Sequence, residues 1–216
     1  MATVAVHRKG ATHAYTAAMA SRCGFVVWLT GLSGAGKSTL AQAMCERLRR
    51  SGYPCEHLDG DAVRQELGGG LGFDRAERAL QAQRLSYLAS LLTRHGVIVV
   101  VSAVSPQRES RARSRARLGN FLEVYVNAPL EECIRRDPKG LYARARSGAL
   151  SNLTGVDAPY EPPQSPEVEC RTDHETPEQS LAKIWAALGP RLEAPFHRQP
   201  APRALPESPR SVTPSP

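Results

Sequence analysis

The run Gly31-Leu32-Ser33-Gly34-Ala35-Gly36-Lys37-Ser38 fits G-x-x-x-x-G-K-[ST] at every fixed position. This combination is suited to gripping a polyphosphate. The glycines let consecutive backbone N–H groups converge on one concavity, and a helix starting behind them adds the positive end of its dipole. Lys37 can reach the terminal phosphate oxygens, and the Ser38 hydroxyl can ligate Mg2+. Core packing has no use for such a sequence. Gly31, Leu32, Ser33, Gly34, Ala35, Gly36, Lys37, Ser38 and Thr39 are therefore the expected nucleotide-binding residues, with Lys37 catalytic and Ser38 on the metal.

A phosphate loop by itself does not separate a kinase from a switch GTPase, a motor or a helicase. In many ATPases a second buried strand ends in an acid that holds the metal, yet the apolar run Val97 to Val101 leads into Ser102-Ala103-Val104 without a carboxylate. The acids come instead in Leu58-Asp59-Gly60-Asp61, just after another strand-like stretch. That places them at the same carboxyl edge of a parallel sheet as the phosphate loop. Carboxylates beside phosphates repel them, so a cation or a proton-transfer task is required. Asp61 is read as accepting a proton from an attacking hydroxyl. Asp59 either orients the loop or the hydrated metal, or forms an ordinary Asp-Gly turn.

The elements that position these groups are read from hydrophobic periodicity. Phe25 to Leu29 is a near-continuous apolar run of strand length, and Leu40, Ala43, Met44 and Leu48 recur at helical spacing behind the phosphate loop. Tyr53 to Leu58, Val97 to Ala103 and Phe121 to Val126 read as further strands. Gln81 to Arg94 reads as a helix with Leu85, Leu88, Leu91 and Leu92 on one face. Strands so apolar are covered on both sides, and their alternation with helices gives right-handed parallel crossovers. The expected fold class is α/β, a three-layer P-loop NTPase fold with a mostly parallel central sheet flanked by helices. Past Asp137 the pattern turns loop-rich, with Lys139, Arg144 and Arg146, until a last amphipathic helix from Ser180 to Leu188. Residues 1–22 read as a flexible leader, 23–190 as the domain, and the proline-rich 191–216 as a disordered tail.

Composition narrows the partners. A chain of 216 residues, 41% hydrophobic, has room for one ordinary domain and not for two large ones. Its apolar runs fall far short of the ~20 residues of a bilayer span. The formal charge of +7 is mostly arginine. Nucleic acid would account for that balance, and so would a polyanionic small molecule held by guanidinium forks. The densest run, Arg108, Arg111, Arg113, Arg115 and Arg117, has no interleaved aromatic and reads as a solvated helical face. Small-molecule partners are expected, with no nucleic acid and no membrane. The cysteines, Cys23, Cys45, Cys55, Cys133 and Cys170, form no Cys-x-x-Cys or Cys/His cluster, which favours a reducing compartment and a cytoplasmic location.

Together with segments further along the chain, these motifs closely resemble those of adenylyl-sulfate kinases (APS kinases). The matching segments are Trp28-Leu29-Thr30 with the phosphate loop, Leu58-Asp59-Gly60-Asp61 with Arg64, Leu71-Gly72-Phe73, Ser105-Pro106, Arg136-Asp137-Pro138-Lys139-Gly140-Leu141-Tyr142 with Ala145-Arg146, and Thr154-Gly155 with Asp157 and Pro159-Tyr160-Glu161. They run in family order from about Phe25 to Leu188. The resemblance implies transfer of the γ-phosphate of ATP, with Mg2+, to the 3′-hydroxyl of adenosine 5′-phosphosulfate (APS), giving PAPS and ADP. It makes Asp61 the general base. It assigns Arg64, Arg78 and Arg84 to the phosphosulfate nucleotide, whose paired oxygens suit paired guanidinium donors. It sets Phe73 against the substrate adenine and Ser105 in the site as a catalytic and substrate-binding residue. Direct in-line transfer needs no phosphoserine, so a covalent role for Ser105 is disfavoured. Lys139 to Arg146 would form a lid that excludes water.

The resemblance also implies a homodimer, for which the sequence carries no interface signature of its own. Three positions depart from the family: Gln81 replaces the usual asparagine, Gln83 the first of two adjacent arginines, and Leu153 a second phenylalanine facing the adenine. Each loosens the APS pocket, and Leu153→Phe is expected to restore an aromatic contact. Two other readings compete: a P-loop kinase for another small hydroxylated metabolite, and a catalytically weak sulfonucleotide-binding regulator. Intact Lys37, Ser38 and Asp61 disfavour the regulator.

Overall fold

Among the described residues the sheet has five short parallel strands, the first four grown from the apolar runs: β1 (Val26–Thr30), β2 (Cys55–Asp59), β3 (Ile98–Ser102), β4 (Phe121–Asn127) and β5 (Val168–Arg171). They form one sheet in the order β2-β3-β1-β4-β5. A computed structural model of the chain describes residues 24–67 and 69–193; the expected leader, Cys23 and the expected tail from 194 onward lie outside them, while residues 191–193, read as the start of that tail, belong to the last helix. Every residue of β1 and β3 is buried, as strands covered on both faces require. Sequence periodicity does not reveal β5. Only Val168 and Cys170 of its four residues are buried, too brief an alternation to stand out.

Among the described residues, seven helices cover the sheet: α1 (Lys37–Arg50), α2 (Gly60–Leu67), α3 (Arg75–Thr93), α4 (Arg108–Leu118), α5 (Leu130–Arg136), α6 (Leu141–Arg146) and α7 (Pro177–Glu193). Alternate residues of β1 feed two cores, as the period of a strand dictates. Val27 and Leu29 meet Leu40, Met44 and Leu48 of α1 and Ile184 and Leu188 of α7. Val26 and Trp28 meet Leu85 and Ala89 of α3, with Val99, Val101 and Phe121. The result is the expected three-layer α/β P-loop fold.

Helix α3 is rotated from the leucine face read in the sequence. Its buried side is Ala82, Leu85, Ser86 and Ala89, while Leu88 and Leu91 are half-buried. Small residues let α4 approach closely enough for the Ser86 hydroxyl to donate to Ser114 Oγ at 2.7 Å. A capping box of Asp74 and Glu77 starts α3 and fixes Phe73 just outside it.

The arginine run of α4 corrects an expectation. Arg111 is 3% exposed and pairs with Glu123 of β4 at 2.8 Å, and Arg115 pairs with Glu167 at 2.5 Å. Carboxylates on the sheet side of the helix, invisible to helical spacing, draw these two guanidinium groups inward. Cys45, Cys55, Cys133 and Cys170 are free and buried. Among the described residues, no helix is long and apolar enough to cross a membrane. Because all strands are parallel, their carboxyl ends at Thr30, Asp59, Ser102, Asn127 and Arg171 share one edge, and the site is built there.

Candidate active site

The phosphate loop joins β1 to α1, and its carbonyls explain its shape. Leu32 O accepts from Lys37 Nζ at 2.7 Å, and Ser33 O from the Tyr142 hydroxyl at 3.0 Å. Gly34 O accepts from Arg136 Nη1 at 3.3 Å, and Ala35 O from the Thr172 hydroxyl at 2.8 Å. Four successive carbonyls are thus held by side chains, and within the loop the Ala35 N–H donates to Leu32 O at 3.2 Å, so it is the other loop amides that face the task of binding phosphate oxygens. Gly31 is obligatory, since a Cβ there would lie 2.2 Å from Val126 O, and Gly36 opens α1 at φ +100°. A cleft of about 560 Å³ lies in front, lined by Gly34, Gly36, Lys37, Ser38, Thr39 and Asp59 among others. Gly31, Leu32 and Ala35 build the loop from behind. Lys37 is 8% exposed. Burial pushes its pKa down to about 8, against the opposing pull of Asp61.

Asp59 proves to be an anchor. Its Oδ2 accepts from the hydroxyls of Ser38 at 2.8 Å and Ser102 at 3.0 Å. Its Oδ1 accepts from the backbone N–H of Asp61 at 2.9 Å and Ala62 at 3.4 Å, capping the start of α2. Burial alone would raise its pKa; these hydrogen bonds outweigh it and hold the carboxyl below the usual range. Ser102 gives its hydrogen to Asp59, so the 2.8 Å contact to His57 must run from His57 Nε2–H to Ser102 Oγ. Burial lowers the His57 pKa, in keeping with a neutral ring. Asp61 is carried by the capped first turn of α2, and its carboxylate forms an ion pair with Lys139. Ser38, Asp59 and Asp61 offer only hard oxygen donors, the set that fits Mg2+. Among the described residues no cluster of three or more His, Cys, Asp or Glu side chains could cage a metal by itself. That suits a cation shared with phosphates and water.

Beyond Asp61 lies a second, smaller cavity of about 70 Å³, lined by Asp61, Arg64, Phe73, Arg78, Gln81 and Ser105 among others. Phe73, which lines it, is 43% exposed. The guanidinium carbons of Arg64 and Arg78 stand 4.7 and 5.5 Å from its ring centre. Arg64 Nη1 donates to Gly72 O at 2.6 Å, and Arg78 Nε to Phe73 O at 2.7 Å. Arg78 Nη2 also donates to Asn152 O. Gln81 Nε2 donates to Gly60 O at 3.0 Å, while its buried Oε1 has no partner. Ser105 Oγ accepts from Trp28 Nε1 at 3.1 Å.

Of the expected substrate residues, Asp61, Arg64, Phe73, Arg78 and Ser105 share this cavity, and Lys139 lines the phosphate cleft. Two do not line the second cavity in this structure. Arg84 donates to Leu67 O at 2.5 Å, and Leu153 is buried in the α1/α7 core. Sequence reasoning did not assign the supports: Trp28, Arg111, Arg136, Tyr142 and Thr172. Arg136 and Tyr142 could have been suspected from their place in the Lys139 motif. Thr172 reaches Ala35 across 137 positions, and no local pattern announces it.

Comparisons with known proteins agree with this geometry. The family model for adenylylsulphate kinase matches residues 23–171. The adenylyl-sulfate kinase of Microcystis aeruginosa is 58% identical over 165 residues, covering 76% of this chain and 91% of that protein. The Mycobacterium tuberculosis APS kinase in complex with AMPPNP and APS superposes with a TM-score of 0.74 at 41% identity, over 77% of this chain and 98% of that one. A hexameric APS kinase from Thiobacillus denitrificans is 31% identical with a TM-score of 0.59, covering 82% of this chain and 31% of that one. A match of this extent and identity, on a chain whose cradle, acid pair and arginine-rimmed second cavity all stand at one sheet edge, means that the chain belongs to the adenylyl-sulfate kinase family.

Proposed function

We propose that the two cavities divide the labour of an ATP-dependent phosphorylation of APS to PAPS. ATP occupies the cleft over the phosphate loop, with its β- and γ-phosphates toward the loop amides and Lys37. APS occupies the second cavity, with Phe73 against its adenine and Arg64 and Arg78 on its phosphosulfate. The observation that carries this reading is the position of Asp61, which lines both cavities. A hydroxyl held in the second cavity has Asp61 on the path to a phosphoryl group in the first, as general-base catalysis of an in-line transfer requires.

Ser38 and Asp59 would hold Mg2+ through its hydration shell, and the cation would supply charge neutralisation at the β- and γ-phosphates. Lys139 pairs with the Asp61 carboxylate in this structure. For Asp61 to receive a proton, Lys139 must leave it, and the incoming phosphates offer the alternative partner. Ser105 serves as a binding group: its oxygen accepts an indole N–H, and the base that shares its cavity, Asp61, is assigned to the acceptor hydroxyl. The cytoplasm suits an enzyme with four buried free thiols, and a homodimer is the assembly that light scattering should detect.

The test is direct. Purified protein given ATP, Mg2+ and APS should release ADP and 3′-phosphorylated APS in equal amounts. ADP release that depends on a different hydroxylated metabolite, with APS inert, would overturn the substrate assignment.

A further inference from the structure

Ser105 forms part of the wall of the second cavity and adopts φ +43°. A non-glycine residue keeps a left-handed conformation only where its surroundings fix it. The fixing groups are buried behind the wall. Trp28 Nε1 holds the Ser105 hydroxyl, and the Thr30 hydroxyl donates to Val104 O at 2.7 Å. The hub is Arg111. Its Nη1 donates to Ser105 O and its Nη2 to Glu161 O, both at 2.7 Å, while Nε donates to Glu123 Oε1 at 2.8 Å. Glu161 closes the ring, with its N–H on Pro106 O at 2.9 Å and its carboxylate on the Arg108 N–H at 2.9 Å.

We infer that Arg111 is a positioning residue for the acceptor: it fixes the Ser105 wall to the segment around Glu161 and thereby sets the affinity for APS without touching either substrate. The inference rests on the placement of APS in the second cavity. Arg111 lines neither cavity, so a direct contact is not its role. Stability alone explains it poorly, because a buried ion pair returns little over an apolar pair of similar size. Its three donors leave in three fixed directions, toward α4's neighbour strand, the Ser105 turn and the Glu161 segment. An ammonium group, a single point of charge on a flexible stem, cannot serve all three at once.

The experiment is steady-state kinetics of Arg111→Lys, varying APS at saturating ATP and then ATP at saturating APS. The KM for APS should rise by about tenfold or more, the loss of a charge-assisted hydrogen bond, while the KM for ATP stays within about twofold. A second measurement repeats Arg111→Lys in a Ser105→Gly background. Glycine adopts positive φ without help, so the factor caused by Arg111→Lys should shrink there. Equal factors in both backgrounds, or KM values for ATP and APS that rise together, overturn the inference. If Arg111→Lys does not fold, Thr30→Val decides: it releases the same turn from the Val104 side and leaves the buried ion pair intact. An unchanged KM for APS in Thr30→Val then counts against the wall. A wild-type protein silent toward APS would instead refute the substrate assignment, and this inference with it.

Discussion

The phosphate cradle and the acceptor cavity lie a few residues apart and are built on opposite principles. The cradle's donors are backbone amides, aimed by bonds that Lys37, Tyr142, Arg136 and Thr172 make to the carbonyls on the loop's other side. The acceptor cavity's donors are guanidinium groups, and in this structure they are engaged with the carbonyls of Gly72, Phe73 and Asn152. Amides are in place before ATP arrives. Arginines have to exchange a local carbonyl for a phosphosulfate oxygen, and the 70 Å³ between them is too little for a nucleotide. The donor half is preorganised, whereas the acceptor half is a set of parts that the ligand must reorder at a cost to its own affinity.

The sharpest break in that comparison is at Asp61, the residue the two halves share. Asp61→Asn keeps the shape and removes the base, so turnover should fall by roughly 10²- to 10⁴-fold. Affinity for a nonhydrolysable ATP analogue should hold within about twofold, read by calorimetry. Loss of both would place Asp61 in the cradle proper. Arg64→Ala comes next. Removing one charge-assisted contact of ~1.5 to 3 kcal/mol should raise the KM for APS by about ten- to a hundredfold with the KM for ATP unmoved. A matching rise for ATP would mean that the halves are not separable.

The same contrast governs how legible each half is in the sequence. The cradle is one contiguous motif between a strand and a helix, so the spacing alone locates Gly34, Gly36, Lys37 and Ser38. Four of the strands and α1 are legible because buried parallel strands and a one-faced helix have strong periods. The acceptor half draws on residues from Asp61 to Glu161, each an ordinary arginine, glutamine or serine in its local context. Family motifs bring Arg64, Phe73, Arg78 and Ser105 to it, while Arg111 reads wrongly as solvated because its partner, Glu123, lies on a different element. Asp59 is balanced in the sequence between a turn and a metal role; the structure shows it capping α2 and accepting from Ser38, an arrangement compatible with both. The edge strand β5 is too short to leave a pattern.

A smaller effect tests how far preorganisation of the cradle extends to charge. Burial holds the free Lys37 ammonium at a pKa of about 8. Phosphate favours the charged form, so nucleotide binding raises that pKa. Below pH 8 the lysine is already protonated and affinity should be flat. Above it, binding must take up a proton, and the Kd for the ATP analogue should rise by up to about tenfold per pH unit. A Kd independent of pH between 7 and 9 would show Lys37 charged throughout, and the cradle complete in charge as well as in shape.

The least effect is expected at Leu153, where sequence and structure disagree about which half owns the residue. The sequence resemblance implies a place opposite the adenine, in which case Leu153→Phe should gain an aromatic contact of ~0.5 to 1.5 kcal/mol. In this structure its side chain is only 9% exposed and belongs to the α1/α7 core, with the isobutyl groups of Leu32 and Leu130 against Gly155 two residues on. A phenylalanine forced into that packing costs ~1 to 3 kcal/mol. At roughly 2 to 4 °C per kcal/mol for a domain of this size, the melting temperature should drop by several degrees while the KM for APS stays put. Tighter APS binding at an unchanged melting temperature would reverse the assignment: residue 153 would then leave the core to cover the base. The acceptor cavity would be incomplete until its ligand pulls the segment between Asn152 and Glu161 over it, the strongest form of the contrast with a cradle that waits ready-made.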